Sequence, residues 1–225
     1  MRTGTRGSTK NISNGRKRRE VLRLFRSGFP GLFAFLVAHI PQPDCLLLTK
    51  IRGAGRLALD PDTKLVPGWF IGDRSAVSAY HFISDLKDRL ASRVQLTTDG
   101  HRPYLQAGED AFGADVDYAM PIKIYGNAPE GPEVRYSPAQ WMGARKTVIS
   151  GAPDREHIST SQTERQNLTM RRSMRRFMRL TNRFSQKLEN HEAAVALHYL
   201  DYNFGRIHKS LRVTPAMEAG IADHV

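Results

Sequence analysis

Thiol chemistry is almost missing from this chain: Cys45 is its one cysteine. A lone thiol excludes an intrachain disulfide and a zinc site built on clustered cysteines, and it suits a reducing compartment. Carboxylates are scarce too, with 22 Asp+Glu against 34 Lys+Arg and a formal net charge of +12. Such an excess points to a polyanionic partner, because each neutralised phosphate releases condensed counterions. An anionic membrane surface is the competing partner. The chain also lacks an apolar run long enough to span a bilayer. GFPGLFAFLVAHI is broken near its start by Pro30 and Gly31, and a span needs about 20 apolar residues. No internal repeat is visible. At 225 residues and 40% hydrophobic composition, size does not limit the core.

Upstream of the apolar run, MRTGTRGSTKNISNGRKRREVLRLFR is dense in arginine and lysine, with the single acid Glu20. Basic then apolar is the outline of a secretory signal, yet only AHIPQP follows, with no clean small-x-small cleavage pattern. The expectation is a basic, disordered arm leading into an atypical apolar segment over residues 1–54, in a cytoplasmic, nucleoid-associated protein.

From residue 55 onward the patterning is that of a folded domain. RLALD (56–60) and KLVPGWFIGD (64–73) read as short strands joined through Asp60-Pro61-Asp62-Thr63. Ser75 caps a helix in which Val77, Phe82, Ile83, Leu86 and Leu90 recur at helical spacing. VQLTT (94–98) is a further strand, RPYLQAGEDAFG a short helix, and VDYAMPIKIY (116–125) a strand interrupted by Pro121. The stretch from about 126 to 157 is rich in Gly and Pro and reads as an irregular insertion. From Ser161 a helical period returns. Met170, Met174, Phe177, Met178, Thr181 and Phe184 form one stripe, and Arg171, Arg175, Arg179 and Arg183 step by four along another. A last helix runs roughly from Glu189 to Asn203. Strands, then strand–helix alternation, then helices predict an α/β fold with a mixed sheet.

Two acids stand out. Asp99 ends a β-branched strand and starts an Asp-Gly turn, a place from which an acid can face a functional crevice. Glu164 opens the most basic helix. It can be a simple capping acid with Ser161 in S/T-x-x-E spacing. Arg165, Asn167, Arg171, Arg172, Arg175, Arg176 and Arg179 follow it, however, and a row of guanidiniums costs helix stability unless it meets phosphate. Carboxylates beside phosphates suggest Mg²⁺ or Mn²⁺, held as a two-metal site for phosphodiester chemistry. His101 and His157 flank these acids; His191, His198 and His208 sit on or after the last helix, where packing or solvation accounts for them.

LALDPDTKLVPGWFIGDR, VQLTTDGHRPYLQA and the run from ERQNLTMRRSMRRF to FGRIHKSLRVTPA, in that order, resemble bacterial insertion-sequence transposases of the DDE class, closest to the insertion-sequence-one type. The resemblance covers about residues 55–225. It implies an RNase H-like core: a mixed five-stranded sheet flanked by helices, with three acids holding two divalent metals. By position Asp99 matches the second acid and Glu164 the third. The first acid has no match upstream, so the first strand is expected to be missing or degraded. Asp60, or Asp62, is the nearest substitute, although both suit a turn beside Pro61. The resemblance also assigns Arg206, His208 and Lys209 to DNA contact alongside the arginines from Arg165 to Arg179. It implies double-stranded DNA partners (transposon ends and target), no membrane, and at least a homodimer. The activity implied is hydrolysis and strand transfer at insertion-sequence ends; a DNA-binding remnant without cleavage is the alternative. A shifted reading frame or a rearrangement upstream of about residue 55 would account for the mismatch there.

Overall fold

In the computed structural model, residues 43–51, 55–90, 93–126, 141–177, 182, 185 and 187–225 are described. The basic arm, the apolar run at 28–40, residues 127–140, and Met178, Arg179, Thr181, Arg183 and Phe184 lie outside the described residues.

Six strands form one mixed sheet: β1 (Cys45–Ile51), β2 (Gly55–Leu59), β3 (Gly68–Ile71), β4 (Val94–Thr98), β5 (Val116–Tyr125) and β6 (Trp141–Ser150). Their spatial order is β3-β2-β1-β4-β5-β6. The first three strands are an antiparallel meander; β4 lies parallel to β1 and β5 parallel to β4, and β6 returns antiparallel to β5. Helices α1 (Ala76–Asp88) and α2 (Pro103–Phe112) make the parallel crossovers. Then come α3 (Ser161–Ser173), α4 (Leu188–Leu200) with a π-helical turn at Asp201–Gly205, and the short α5 (Pro215–Glu218).

The layering follows from side-chain alternation. Leu46, Leu48, Ala58, Leu96, Tyr118 and Met120 point to one face, where Ala79, Phe82, Ile83 and Leu86 of α1 and Tyr104, Ala107 and Phe112 of α2 cover them. Each such large apolar side chain contributes about 1.5–3 kcal/mol when taken out of water. The alternate residues of β1 and β2 face the other way, where α3 packs over these strands and Tyr199 of α4 stacks on Trp69 at 6.3 Å. With helices on both faces, VQLTT is buried at every position, which explains its near-continuous apolar and β-branched character. Ser75 caps α1 as expected, its hydroxyl accepting from the Ser78 amide at 3.2 Å. Among the described residues, no helix is long and apolar enough to cross a membrane.

Five expectations change. The sheet has six strands, not five. Its first strand is present and central, supplied by CLLLTKI at Cys45–Ile51, so the boundary at residue 54 cuts through the sheet. The insertion contains β6, a ten-residue strand. Pro121 does not interrupt β5; the strand passes through it at a level where only β6 still pairs alongside. The helix expected from Ser161 to Phe184 stops at Ser173, since Met174 is extended (φ −119°, ψ 106°) and Arg175–Phe177 is a 3₁₀ turn. Arginines at i and i+4 repel, and that stretch lacks the opposite charges that would hold a longer helix.

Candidate nucleic-acid interface and acid site

Asp99 follows β4 directly. Its amide donates to the carbonyl of Leu48 on β1 at 3.2 Å, and its own carbonyl accepts from the His101 amide at 2.6 Å. The turn is formed without a positive φ at Gly100, which is not among the left-handed glycines, so the Asp-Gly pair here does not depend on glycine's freedom. A Cβ at Gly100 would meet nothing within 4 Å, which leaves this tip open. Behind it lie two buried phenols. Burial pushes the Tyr118 phenol up to about 12, with the Thr98 hydroxyl, 2.8 Å from the phenol oxygen, opposing and the Asp99 charge adding. Burial raises Tyr104 as well, again with a contribution from Asp99. The acid at the strand end therefore borders the α1/α2 layer, with the His101 ring edge-on to Tyr104 at 5.3 Å.

Glu164 comes to the same end of the sheet from the opposite layer. It sits in the first turn of α3, about half exposed, accepts from the Thr160 hydroxyl at 3.1 Å, and pairs with Lys123 near the far end of β5. The cap residue is Thr160, one earlier than expected, and its side chain makes no capping hydrogen bond, so the expected Ser161/Glu164 box is not formed.

Asp60 does not join them. Leu47 pairs with Leu59, which sets Asp60 beside Leu46, while Leu48 pairs with Thr98, which sets Asp99 beside Thr49. Three residues along a strand separate the two levels by roughly 10 Å, with one more strand between. The Asp60 carboxylate accepts from the Asp62 amide at 3.0 Å and from the Thr63 hydroxyl, closing the Asp60–Thr63 turn. Burial raises its pKa while those bonds oppose the shift. Asp60, Asp62 and Asp154 gather instead near Cys45, at the start of the parallel strands; burial, with these three charges adding, pushes its thiol up to about 12. The position on β1 beside Asp99 is Thr49, which is buried. Among the described residues, no three of His, Cys, Asp and Glu are grouped so as to hold a metal ion. The donors present do not fit the oxygen-rich octahedron that Mg²⁺ demands: a hydroxyl stands at the β1 position and an ammonium is already on Glu164.

The candidate DNA contacts divide into three groups. Arg165, exposed in the second turn of α3, lies near His208, whose imidazole burial lowers in pKa, with Lys64 and Arg165 adding. Lys209 is exposed on the same turn as His208. Arg171 and Arg172 occupy the last turn of α3, Asn167 is half-buried further back, and Arg175 is exposed on the 3₁₀ turn. Arg176 and Arg206 serve the fold. The first donates to the Ser185 hydroxyl and, at 3.2 Å, to the Asn190 carbonyl; the second reaches the Ser173 hydroxyl at 3.3 Å and Asp201 at 3.4 Å. Lys64, Lys123 and Thr49 were not singled out from the sequence. Only Lys64 had a local signal, as a cation directly after the Asp60–Thr63 turn. Compared with family models, curated proteins and solved structures, the chain matches none.

Proposed function

We propose that this chain is the RNase H-like core of a DDE-class DNA transposase, and that in its present form it binds DNA without cutting it. One relationship carries the reading. An acid leaves the carboxyl end of β4 beside β1, and a second acid comes to that end from the helix that follows the sheet. An antiparallel meander of three strands continued by two parallel crossovers, with helices on both faces, supports the RNase H-like assignment. The excess of 34 Lys+Arg over 22 Asp+Glu supports a polyanionic partner. Double-stranded DNA at insertion-sequence ends is that partner, in a cytoplasmic, nucleoid-associated setting. Holding two ends together calls for at least a homodimer.

The full enzyme of this class would use Mg²⁺ or Mn²⁺ to hydrolyse a phosphodiester bond and transfer the freed strand. Thr49, standing where a β1 carboxylate would complete an acid triad, favours the non-cleaving form. Purified protein with a labelled duplex and Mn²⁺ separates the two. Shifted but intact duplex, unchanged in Asp99→Asn and Glu164→Gln, is the expected result. Nicking by the wild type that disappears in both variants would establish the active transposase instead. Failure to bind any duplex would remove both forms.

A further inference from the structure

The described residues contain two non-glycine positions with positive φ, and both are basic: Lys64 (φ 61°) and Arg212 (φ 64°). Neither occurs in an isolated loop. The strap after β2 is tied to α3 where the Lys64 ammonium donates to the Gln162 side chain at 2.8 Å. It is tied again two residues later. Asn203, fully buried in the π-helical turn, accepts from the Val66 amide at 3.1 Å and donates to the Val66 carbonyl at 2.9 Å. The chain then reaches a tight turn in which the His208 amide donates to the Val213 carbonyl at 2.9 Å and the Arg212 amide donates to the His208 carbonyl at 2.8 Å. Arg165 stands one helical turn beyond Gln162, and both it and Lys64 act on the His208 ring. Three segments far apart in sequence thus bring Lys64, Arg165 and His208 into one region, with Lys209 and Arg212 exposed on the adjoining turn.

Among the described residues, Lys64, Arg165, Lys209 and Arg212 take part in no ion pair. The strap's own Asp60 is turned inward to its turn. These basic side chains make no ion pair although Asp62 is exposed on the same strap, and two of them sit on backbone that ordinary residues avoid, an arrangement that favours a ligand over packing as the reason the strain is kept. An acceptor-rich anion answers that set of donors, and the phosphodiester backbone supplies such acceptors at regular spacing.

We propose that Lys64, Arg165 and His208, flanked by Lys209 and Arg212, form a phosphate seat for the DNA backbone, on the strap side of α3. This rests on the DNA-binding reading above and gives that reading a location. The seat positions the duplex and reads no sequence, since its groups match phosphate and not base edges.

Fluorescence anisotropy with a labelled duplex of about 30 base pairs, titrated at several salt concentrations, tests it on the full chain. Lys64→Gly/Arg165→Met is compared with Arg171→Met/Arg172→Met on the last turn of α3. Glycine at position 64 removes the ammonium while suiting the φ, so the variant stays folded, which circular dichroism checks. The expected result is at least about tenfold weaker binding for the first pair, and a plot of log affinity against log salt that is shallower by about 0.9 for each phosphate no longer neutralised. Unchanged affinity and slope in that pair, with a loss confined to the second, would overturn the seat and leave the DNA reading intact. No duplex binding by the wild type would overturn both.

Discussion

Thr49 is the β1 neighbour of Asp99: the Asp99 amide bonds to the Leu48 carbonyl at 3.2 Å, and Leu48 pairs with Thr98. This β1 position carries a buried hydroxyl. On the non-cleaving reading proposed above, a single strand-end acid, with Glu164 paired to Lys123, offers a divalent cation fewer oxygen donors than it needs.

On that reading Thr49→Asp supplies a further carboxylate at a cost. A buried acid without a partner should destabilise the fold by about 3 kcal/mol in chelator, and Mn²⁺ should recover part of that loss. Thermal unfolding with and without Mn²⁺ reads both effects. If the wild type gained as much from Mn²⁺ as the variant, Thr49 could not be what limits metal binding.

The left-handed backbone at Lys64 gives a comparison free of side-chain effects. Lys64→Ala and Lys64→Gly lose the same bonds to Pro61 and Gln162. Only the glycine variant escapes the steric penalty at φ 61°. Lys64→Gly should be more stable than Lys64→Ala by about 1 kcal/mol in urea denaturation. Equal stabilities would show that this backbone is not strained.

Asn203 is the bolt between the strap and the last helix. Its side chain satisfies both the amide and the carbonyl of Val66, and both residues are fully buried. Asn203→Ala should cost about 2–4 kcal/mol, because two backbone groups lose their partners away from water. The urea midpoint should fall with the slope unchanged; a shift under about 1 kcal/mol would mean that water reaches them.

His198 makes stability depend on pH. Burial, with Arg206 adding and Asp201 opposing, lowers its pKa from 6.5 to about 4. Between those values the unfolded chain binds a proton that the folded chain refuses, so stability is greatest above pH 6.5 and declines toward pH 4. The decline is on the order of 2 kcal/mol for a group this buried. His198→Gln should flatten the curve across that window in denaturation run at successive pH values. An unchanged slope would assign the dependence to other groups.

Much of the fold was legible because burial imposes a period. VQLTT, the Ser75-capped helix and the Pro103 helix fall where their patterns put them, since each meets the core through one face or two. CLLLTKI was harder: it follows a long apolar run, and nothing local distinguishes a central strand from the rest of that run. WMGARKTVIS was missed because a strand on the sheet's edge, exposed along its length, carries no hydrophobic alternation. The arginine helix is shorter than its apolar stripe suggests because the mutual repulsion of arginines four residues apart outweighs the helical period beyond Ser173.

By itself the sequence determined the charge, the α/β order of elements and the two acids at a strand end and a helix start, all of which depend on near neighbours in the chain. Only the tertiary structure decided which acids meet. Strand register sent Asp60 to the far end of β1, set Thr49 beside Asp99, and brought Lys123 to Glu164 and Lys64 toward Arg165 and His208. Register is settled where strands far apart in the chain pair and pack, since a slip of one residue would turn every side chain of a strand to the other face.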